Sequence, residues 1–463
     1  MKTTSNITLF EKYVVTDIIY QSDVVTIYVA EHIVMATKRV IKRILKKSIR
    51  QDSFYSEVKV LKNIRHPNIP IIYDTMEDSL AYYIVEEYMQ GETLETYIGR
   101  VGQLPEESVV DIGIKLCNIV LYLHCQKPIP ILFLDIHPRN ILLSQGEVYL
   151  VDFGSSYYEG ETARREQLFG AVGYAAPEQY VHDSLDVRAD IYGIGAVLYY
   201  LIIGRISDEG TLSLQYPNYI SEKLKNIVSQ CVIADRDFRF QSVKAVLDNL
   251  MELKSDDNVR AIEEKPYIIS FEGGQQRVGV THISLGFAKY LSNIGYKVVY
   301  EESNNSNHTR LMAKTEKLLY DTGYFVSEKL MLKPAYGPQI QLQVNCDIIV
   351  RDLGLYEGNC SECMRQVLIV GGRSWEIDKS IDACKDTGAK VVLCNGGSKK
   401  AVARLWNSVS VIGLQVPYLH SPLQENDMDK EFYANLAQAL GLCSIGGDKH
   451  KKKARLFKRI AKE

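Results

Sequence analysis

No apolar run in this chain is long enough to cross a bilayer. The longest, Ile191 to Ile203, is broken by Gly193 and Gly195 and carries Tyr192, Tyr199 and Tyr200, so it reads as a buried helix. Nor is one sign of charge in excess: 54 Lys and Arg stand against 57 Asp and Glu, a formal net charge of −3. No nucleic-acid partner is therefore expected. The opening MKTTSNITLF has no apolar core and no cleavage site, so no signal peptide is expected. The nine cysteines lack framework spacing, which favours a reducing, cytoplasmic setting over disulfides. Cys360 and Cys363 form a lone CxxC that Cys384 and Cys394 do not complete, so it reads as a loop with two thiols.

What is there begins with length. At 463 residues, 46% hydrophobic and 24% charged, the chain is expected to build two or three globular domains. Residues 131–154 are the densest in chemistry. Two apolar runs, Ile131 to Leu134 and Val148 to Val151, read as buried strands or strand ends flanking Asp135, Asn140 and Asp152. A carboxylate, a carboxamide five residues on and a second carboxylate twelve further can converge on one Mg²⁺-phosphate site. One acid can take a hydroxyl proton while the amide oxygen and the other acid hold metal.

Upstream, residues 11–45 alternate in polarity and read as three antiparallel strands. Phe54, Val58 and Leu61 predict a helix over 51–63, and strands are expected at 71–73 and 81–85. From Glu95 to about 250 the pattern is mostly helical.

This plan, with its motifs, resembles the Hanks-type bacterial Ser/Thr protein kinases. Asp135-x-x-x-x-Asn140 and Asp152-Phe-Gly match that family's catalytic and metal loops. Arg39-Val-Ile-Lys42 matches the strand-lysine motif, and Glu57 stands at the helix glutamate that pairs with it. Val85 to Met89 is similar to the hinge, Gly173 to Glu178 to the end of the activation segment. The resemblance implies a bilobal α+β kinase fold over 11–254, with N-lobe 11–89 and C-lobe 90–254. It implies ATP and Mg²⁺ as cofactors and a protein hydroxyl as substrate. Asp135 would be the base, Asn140 and Asp152 the metal ligands, and Lys42 the phosphate contact braced by Glu57. Backbone groups of Glu87 and Met89 would meet the adenine edge. Glu178 would pair with Arg239.

Several positions depart from the family. Tyr20, Ser22 and Val25 occupy the three glycine positions of the phosphate-covering loop, so looser phosphate contact is expected. Phe133-Leu134 replace His-Arg, which removes the usual partner of a loop phosphate. His137 stands where a phosphate-touching lysine is usual. Ala171 replaces a threonine, and Ser155, Ser156 and Thr162 are candidate phosphate acceptors. Two functions follow: an atypical Ser/Thr kinase, or a nucleotide-binding pseudokinase adaptor.

Ser255 to Lys265 is polar and reads as a linker. Strand, glycine loop, helix and strand then follow, the opening of a doubly wound α/β parallel sheet over 266–445. Strands are expected near 267–271, 296–300, 347–350, 367–370, 390–393 and 411–414, and helices at 375–386 and 429–440. Residues 324–344 suggest a hairpin. Gly274 to Gly279 and Thr281 have P-loop spacing, with Val280 at the lysine position. With Asp352 on the second acidic strand, the unit resembles the chromosome-partitioning and septum-positioning ATPases. Gln275 stands at their second lysine, so ATP hydrolysis here is not expected. Asp352 is either a Mg²⁺ ligand or a strand-end cap. The resemblance suggests recognition or homodimerisation. The tail 446–463 carries eight Lys and Arg with Leu456, Phe457 and Ile460 on one helical face, and reads either as a solvated tail or as a peripheral membrane contact.

Overall fold

The structure is a computed structural model that describes residues 7–48, 51–160, 170–181, 185–206, 210, 212–258, 266–337, 340, 346–356, 365–423 and 427–442. The chain divides into two compact units, one of residues 1–260 with 338–341, the other of residues 261–337 with 342–463.

The first unit opens with a six-stranded antiparallel sheet, in spatial order Thr8–Leu9, Tyr13–Gln21, Val25–His32, Thr37–Leu45, Ala81–Glu87 and Ile72–Glu77. The three long strands lie where polarity alternates, because alternate side chains of a strand face opposite sides. Tyr13, Ala30, Ile41, Tyr83 and Val85 make the core on one face. Ile44, Tyr82 and Ile84 take Phe54 of helix Gln51–Leu61 on the other, with the Phe54 and Tyr82 rings stacked at 4.6 Å. That packing fixes the helix against the strand that carries Lys42.

A helical lobe follows. Helix Leu94–Val101 starts where the Thr93 side chain accepts from Thr96 N, and it ends at Gly102, whose φ of 72° suits a residue without Cβ. Helix Glu106–His124 packs on the short hairpin Ile141–Ser144 and Glu147–Leu150, and helices Val187–Ile203, Glu222–Cys231 and Val243–Asn258 pack with it or with one another. Helix Val187–Ile203 is buried on nearly every side from Ala189 to Ile202, which accounts for the apolar run from Ile191 to Ile203. Gly195 is required there: a Cβ would collide with Cys231 Cβ on the adjacent helix. Among the described residues no helix is long and apolar enough to cross a membrane.

The second unit is a nine-stranded sheet. Its order is Leu319–Asp321, Tyr324–Ser327, Leu330–Lys333, Val298–Glu302, Ile348–Leu355, Tyr267–Gly273, Arg365–Gly371, Val391–Asn395 and Ile412–Val416. The first three strands form an antiparallel meander. From Leu330–Lys333 onward all neighbours are parallel. Tyr267, Ile269 and Phe271 pack on helices Val280–Asn293 and Asp427–Ala439. Leu368, Val370, Val392 and Cys394 pack on helices Ile377–Thr387 and Lys399–Ser408 across the sheet. Both faces are thus covered, and the central strands read as continuous apolar runs for that reason. Helix Lys399–Ser408 has no counterpart in the sequence reading, because Ala401, Val402 and Leu405 are its only buried residues. Between strands Val298–Glu302 and Tyr324–Ser327 in sequence, helix His308–Thr315 is followed by strand Leu319–Asp321.

Candidate active site

Lys42 lies on strand Thr37–Leu45 opposite Ile84, and the residue is 8% exposed. Nζ donates to Glu57 Oε1 at 2.8 Å and to Asp152 Oδ1 at 2.7 Å. Helix, strand and the loop after Glu147–Leu150 therefore meet at one cation. Burial alone would discharge that ammonium. The carboxylates of Asp152 and Glu57 outweigh it and hold the Lys42 pKa above the ordinary lysine value. Asp152 is likewise opposed by burial, yet Lys42 and the Gly154 N–H hold it below its usual range. For Glu57 burial wins, and its pKa is raised in spite of Lys42.

Asp135 is held from several sides. Phe133 N and Leu134 N donate to Asp190 Oδ2 and Oδ1 at 2.9 and 2.7 Å, and His124 Nε2 bonds the same carboxylate at 2.9 Å. Ser156 Oγ donates to Phe133 O at 3.2 Å, and Gln179 Nε2 to Leu134 O at 2.9 Å. Leu134 has φ of 64°, a left-handed conformation that these bonds sustain. The apolar pair that replaces His-Arg is wholly internal: Phe133 is fully buried and its ring meets Phe153 edge-on at 5.0 Å. Asn140 Nδ2 donates to Asp135 O and Oδ2 at 3.1 and 3.2 Å, which fixes the carboxamide and turns its oxygen away from Asp135.

His137 lies 3.5 Å from Asp135 Oδ1 through Nε2. Its Nδ1 accepts from Arg139 N at 3.2 Å, so the hydrogen bonds assign the proton to Nε2, facing Asp135. The family resemblance implies a place for His137 near a phosphate; in the structure its Nε2 faces Asp135.

Asp152 keeps a side-chain exposure of 38%, and Val151 N, next to it in the chain, donates to Asn140 O at 2.9 Å. A carboxylate and a carboxamide oxygen are hard donors that suit Mg²⁺. At the lip of the sheet, Tyr20 is exposed, and the turn after it closes on itself. Ser22 N donates to Val25 O at 2.8 Å, while Ser22 Oγ accepts from Val24 N and Val25 N at 3.3 and 3.0 Å. Glu87 N donates to Ile71 O at 2.8 Å, and half-buried Met89 follows at the strand's end.

Glu178 and Arg239 come together as expected, in a buried two-pronged pair at 2.6 and 2.8 Å. One expectation is corrected. Ser156 is 3% exposed with its hydroxyl committed to Phe133 O, so it is no phosphate acceptor. Thr162 lies outside the described residues, as do Cys360, Cys363 and the tail 446–463. Two polar groups at this site were missed from sequence: Gln179, and Glu86, which is 7% exposed. The signal for Glu86 was an acid inside an otherwise apolar strand run; for Gln179 there was none.

In the second unit, Gly274 N donates to Ile369 O at 2.9 Å and Gly279, with φ of 91°, starts helix Val280–Asn293. A Cβ on Gly273 would lie 2.8 Å from Val278 Cγ2 and 3.0 Å from Val280 Cγ2, so valine methyls pack beneath this loop. Thr281 Oγ1 donates to Asp352 Oδ2 at 2.6 Å, joined there by Tyr300 OH at 2.8 Å, while Gly354 N reaches Oδ1 at 2.9 Å. Asp352 is fully buried, and burial pushes its pKa up against those bonds.

The protein kinase domain model matches residues 21–253. A Clostridium perfringens protein named "Probable serine/threonine-protein kinase" is 30% identical over 224 residues, 44% of this chain and 32% of its own length. Serine/threonine-protein kinase PrkC of Bacillus subtilis is 27% identical over 281 residues, 56% of this chain and 42% of its own length. Aurora kinase A-B of Xenopus laevis is 26% identical over 243 residues, covering 50% and 58%. The matches thus span less than two thirds of these relatives. The β-rich lobe, the helical lobe, the Lys42–Glu57–Asp152 cluster between them and the model match agree, and the chain belongs to the protein kinase family through residues 21–253.

Proposed function

We propose that residues 11–254 transfer the γ-phosphoryl of ATP to a serine or threonine of a protein substrate, with Mg²⁺. The observation that carries this is the Lys42 ammonium bridging Glu57 and Asp152 within one buried cluster. Folding alone does not require a cation shared by three elements. Asp135, positioned by Asn140 and the Asp190 clamp, accepts the hydroxyl proton. His137 orients that carboxylate through Nε2–H. Asp152 and the Asn140 carboxamide oxygen would hold Mg²⁺, which when bound neutralises charge on the β- and γ-phosphates. Lys42 meets the α- and β-phosphates.

A second reading, a pseudokinase adaptor, is favoured by the turn at Ser22. There the N–H groups of Val24 and Val25 are taken by Ser22 Oγ rather than presented to phosphate. One experiment separates the two. The full chain is incubated with γ-labelled ATP, Mg²⁺ and a generic protein acceptor beside Asp135→Asn. Transfer that falls at least ~100-fold in the variant supports the enzyme. No label in either protein, with a thermal shift by Mg·ATP retained, leaves the adaptor.

We read the second unit as a P-loop-like fold that does not hydrolyse ATP and that serves recognition or self-association. Val280 stands where a lysine would neutralise phosphate, and Thr281 is spent on Asp352, which reads as a brace of the strand end. Sedimentation equilibrium of the full chain tests self-association: a monomer at all concentrations removes it. Liposome sedimentation with and without 446–463 tests the membrane contact, and equal pelleting removes that. The free buried thiols of Cys117, Cys231, Cys384 and Cys394 suit a reducing cytoplasm.

A further inference from the structure

The proposed transfer leaves the carboxyl of Glu86 unused. It lies on strand Ala81–Glu87 opposite Val40, two residues from Ile84, which faces Lys42. Opposed residues of antiparallel strands share a face, and i and i+2 share it too. Glu86 therefore projects on the same side as Lys42, one step nearer Glu87 and Met89. It is 7% exposed, and its Oε1 has no hydrogen-bond partner in the protein. Leaving a buried polar atom unmatched is costly, so such an atom at a cleft wall marks a position a ligand group would satisfy.

We propose that the Glu86 carboxyl reads the N6/N7 edge of the nucleobase and so selects adenine over guanine. The inference rests on the phosphotransfer reading above, in which the backbone of Glu87 and Met89 meets the adenine edge. Lys42 already faces Glu57 and Asp152, and one ammonium does not neutralise a third carboxylate. Burial first, then the negative charge of Glu57, keeps Glu86 protonated, with its pKa pushed up to about 8. A neutral carboxyl presents one donor and one acceptor side by side, as a carboxamide does. Adenine offers the complement, an amine at C6 and an acceptor at N7, the pair that Asn and Gln read in duplex DNA. Guanine offers two acceptors, O6 and N7, and one of them would face the carbonyl oxygen of the acid.

The test is equilibrium binding of Mg·ATP, Mg·7-deaza-ATP and Mg·GTP to the full chain, to Glu86→Gln and to Glu86→Leu. Wild type should bind 7-deaza-ATP, which lacks the N7 acceptor, about tenfold more weakly than ATP. Glu86→Gln should keep that preference, because its amide offers the same donor and acceptor. Glu86→Leu, which buries no unmatched polar atom, should fold and bind both adenine nucleotides equally, with GTP closer to ATP. Equal binding of ATP and 7-deaza-ATP by wild type, or a preference that survives in Glu86→Leu, overturns the proposal and leaves the phosphotransfer reading standing. Failure of wild type to bind any of the three overturns both.

Discussion

At the scale of single residues, the cleft is governed by how many carboxylates one ammonium serves. Lys42 and Glu57 are each under a tenth exposed, so removing either strands the other in a medium that solvates charge poorly. Lys42→Met should destabilise the first unit by ~3–5 kcal/mol, and Lys42→Met with Glu57→Leu should recover much of that loss. Urea unfolding of the three proteins checks it; a double variant no better than the single one rules the pair out as the cause. Glu86 gives a pH dependence of definite sign. Its pKa is 4.5 in the unfolded chain and about 8 when buried beside Glu57, Lys42 and Asp152. The folded state thus binds the extra proton between these values, and wild-type stability falls as pH rises from 4.5 to about 8. Glu86→Gln has no such proton to lose. Its melting temperature should exceed wild type most above pH 8 and converge with it toward pH 5, since Glu57 is present in both (~4.5 to ~8 being the window of the shift). A difference that is constant across pH would show the shift to be absent.

At the scale of elements, Gln179 ties two segments that sequence separates by more than forty residues. Its Oε1 accepts from Ala176 N at 2.9 Å at the start of helix Pro177–Tyr180, and its Nε2 donates to the carbonyl just before Asp135. Where Leu134 offers no charge to a phosphate, this neutral bridge and Ser156 Oγ hold the catalytic loop instead. Gln179→Leu should lower kcat by roughly 10- to 100-fold through misplacement of Asp135, with the KM for ATP unchanged. Loss of both in proportion to the unfolded fraction would mean that Gln179 only stabilises. The strands and long helices around this bridge were legible because their apolar periods are strong. Helix Lys399–Ser408 was not, since three buried residues make too faint a stripe.

At the scale of the whole molecule, the function proposed above gives a nucleotide site to the first unit, where Lys42 is the buried ammonium, and none to the second, where Val280 follows the glycine loop. The chain should therefore show a single class of Mg·ATP site. Lys42→Met should abolish the thermal shift that Mg·ATP produces, and Thr281→Ala should leave it intact while destabilising the second unit by ~1–3 kcal/mol, because Asp352 loses a buried donor. Retention of nucleotide binding in Lys42→Met would reassign the site to the second unit.

The order of motifs, the chemistry of Lys42, Glu57, Asp135, Asn140 and Asp152, and the run of apolar strands after residue 266 were determined by the sequence alone, because each is a local pattern. Tertiary structure alone decided that Phe133 and Leu134 are internal and that His137 turns to Asp135. The same holds for Ser22, which closes its own turn, for the valines beneath the second glycine loop, and for Glu86 sharing a face with Lys42. Periodicity reports which side of its own element a residue occupies. What that side meets is set by packing between segments far apart in the chain, which is why Glu57 meets Lys42, Asp352 meets Thr281 and Glu86 Oε1 meets no partner in the protein.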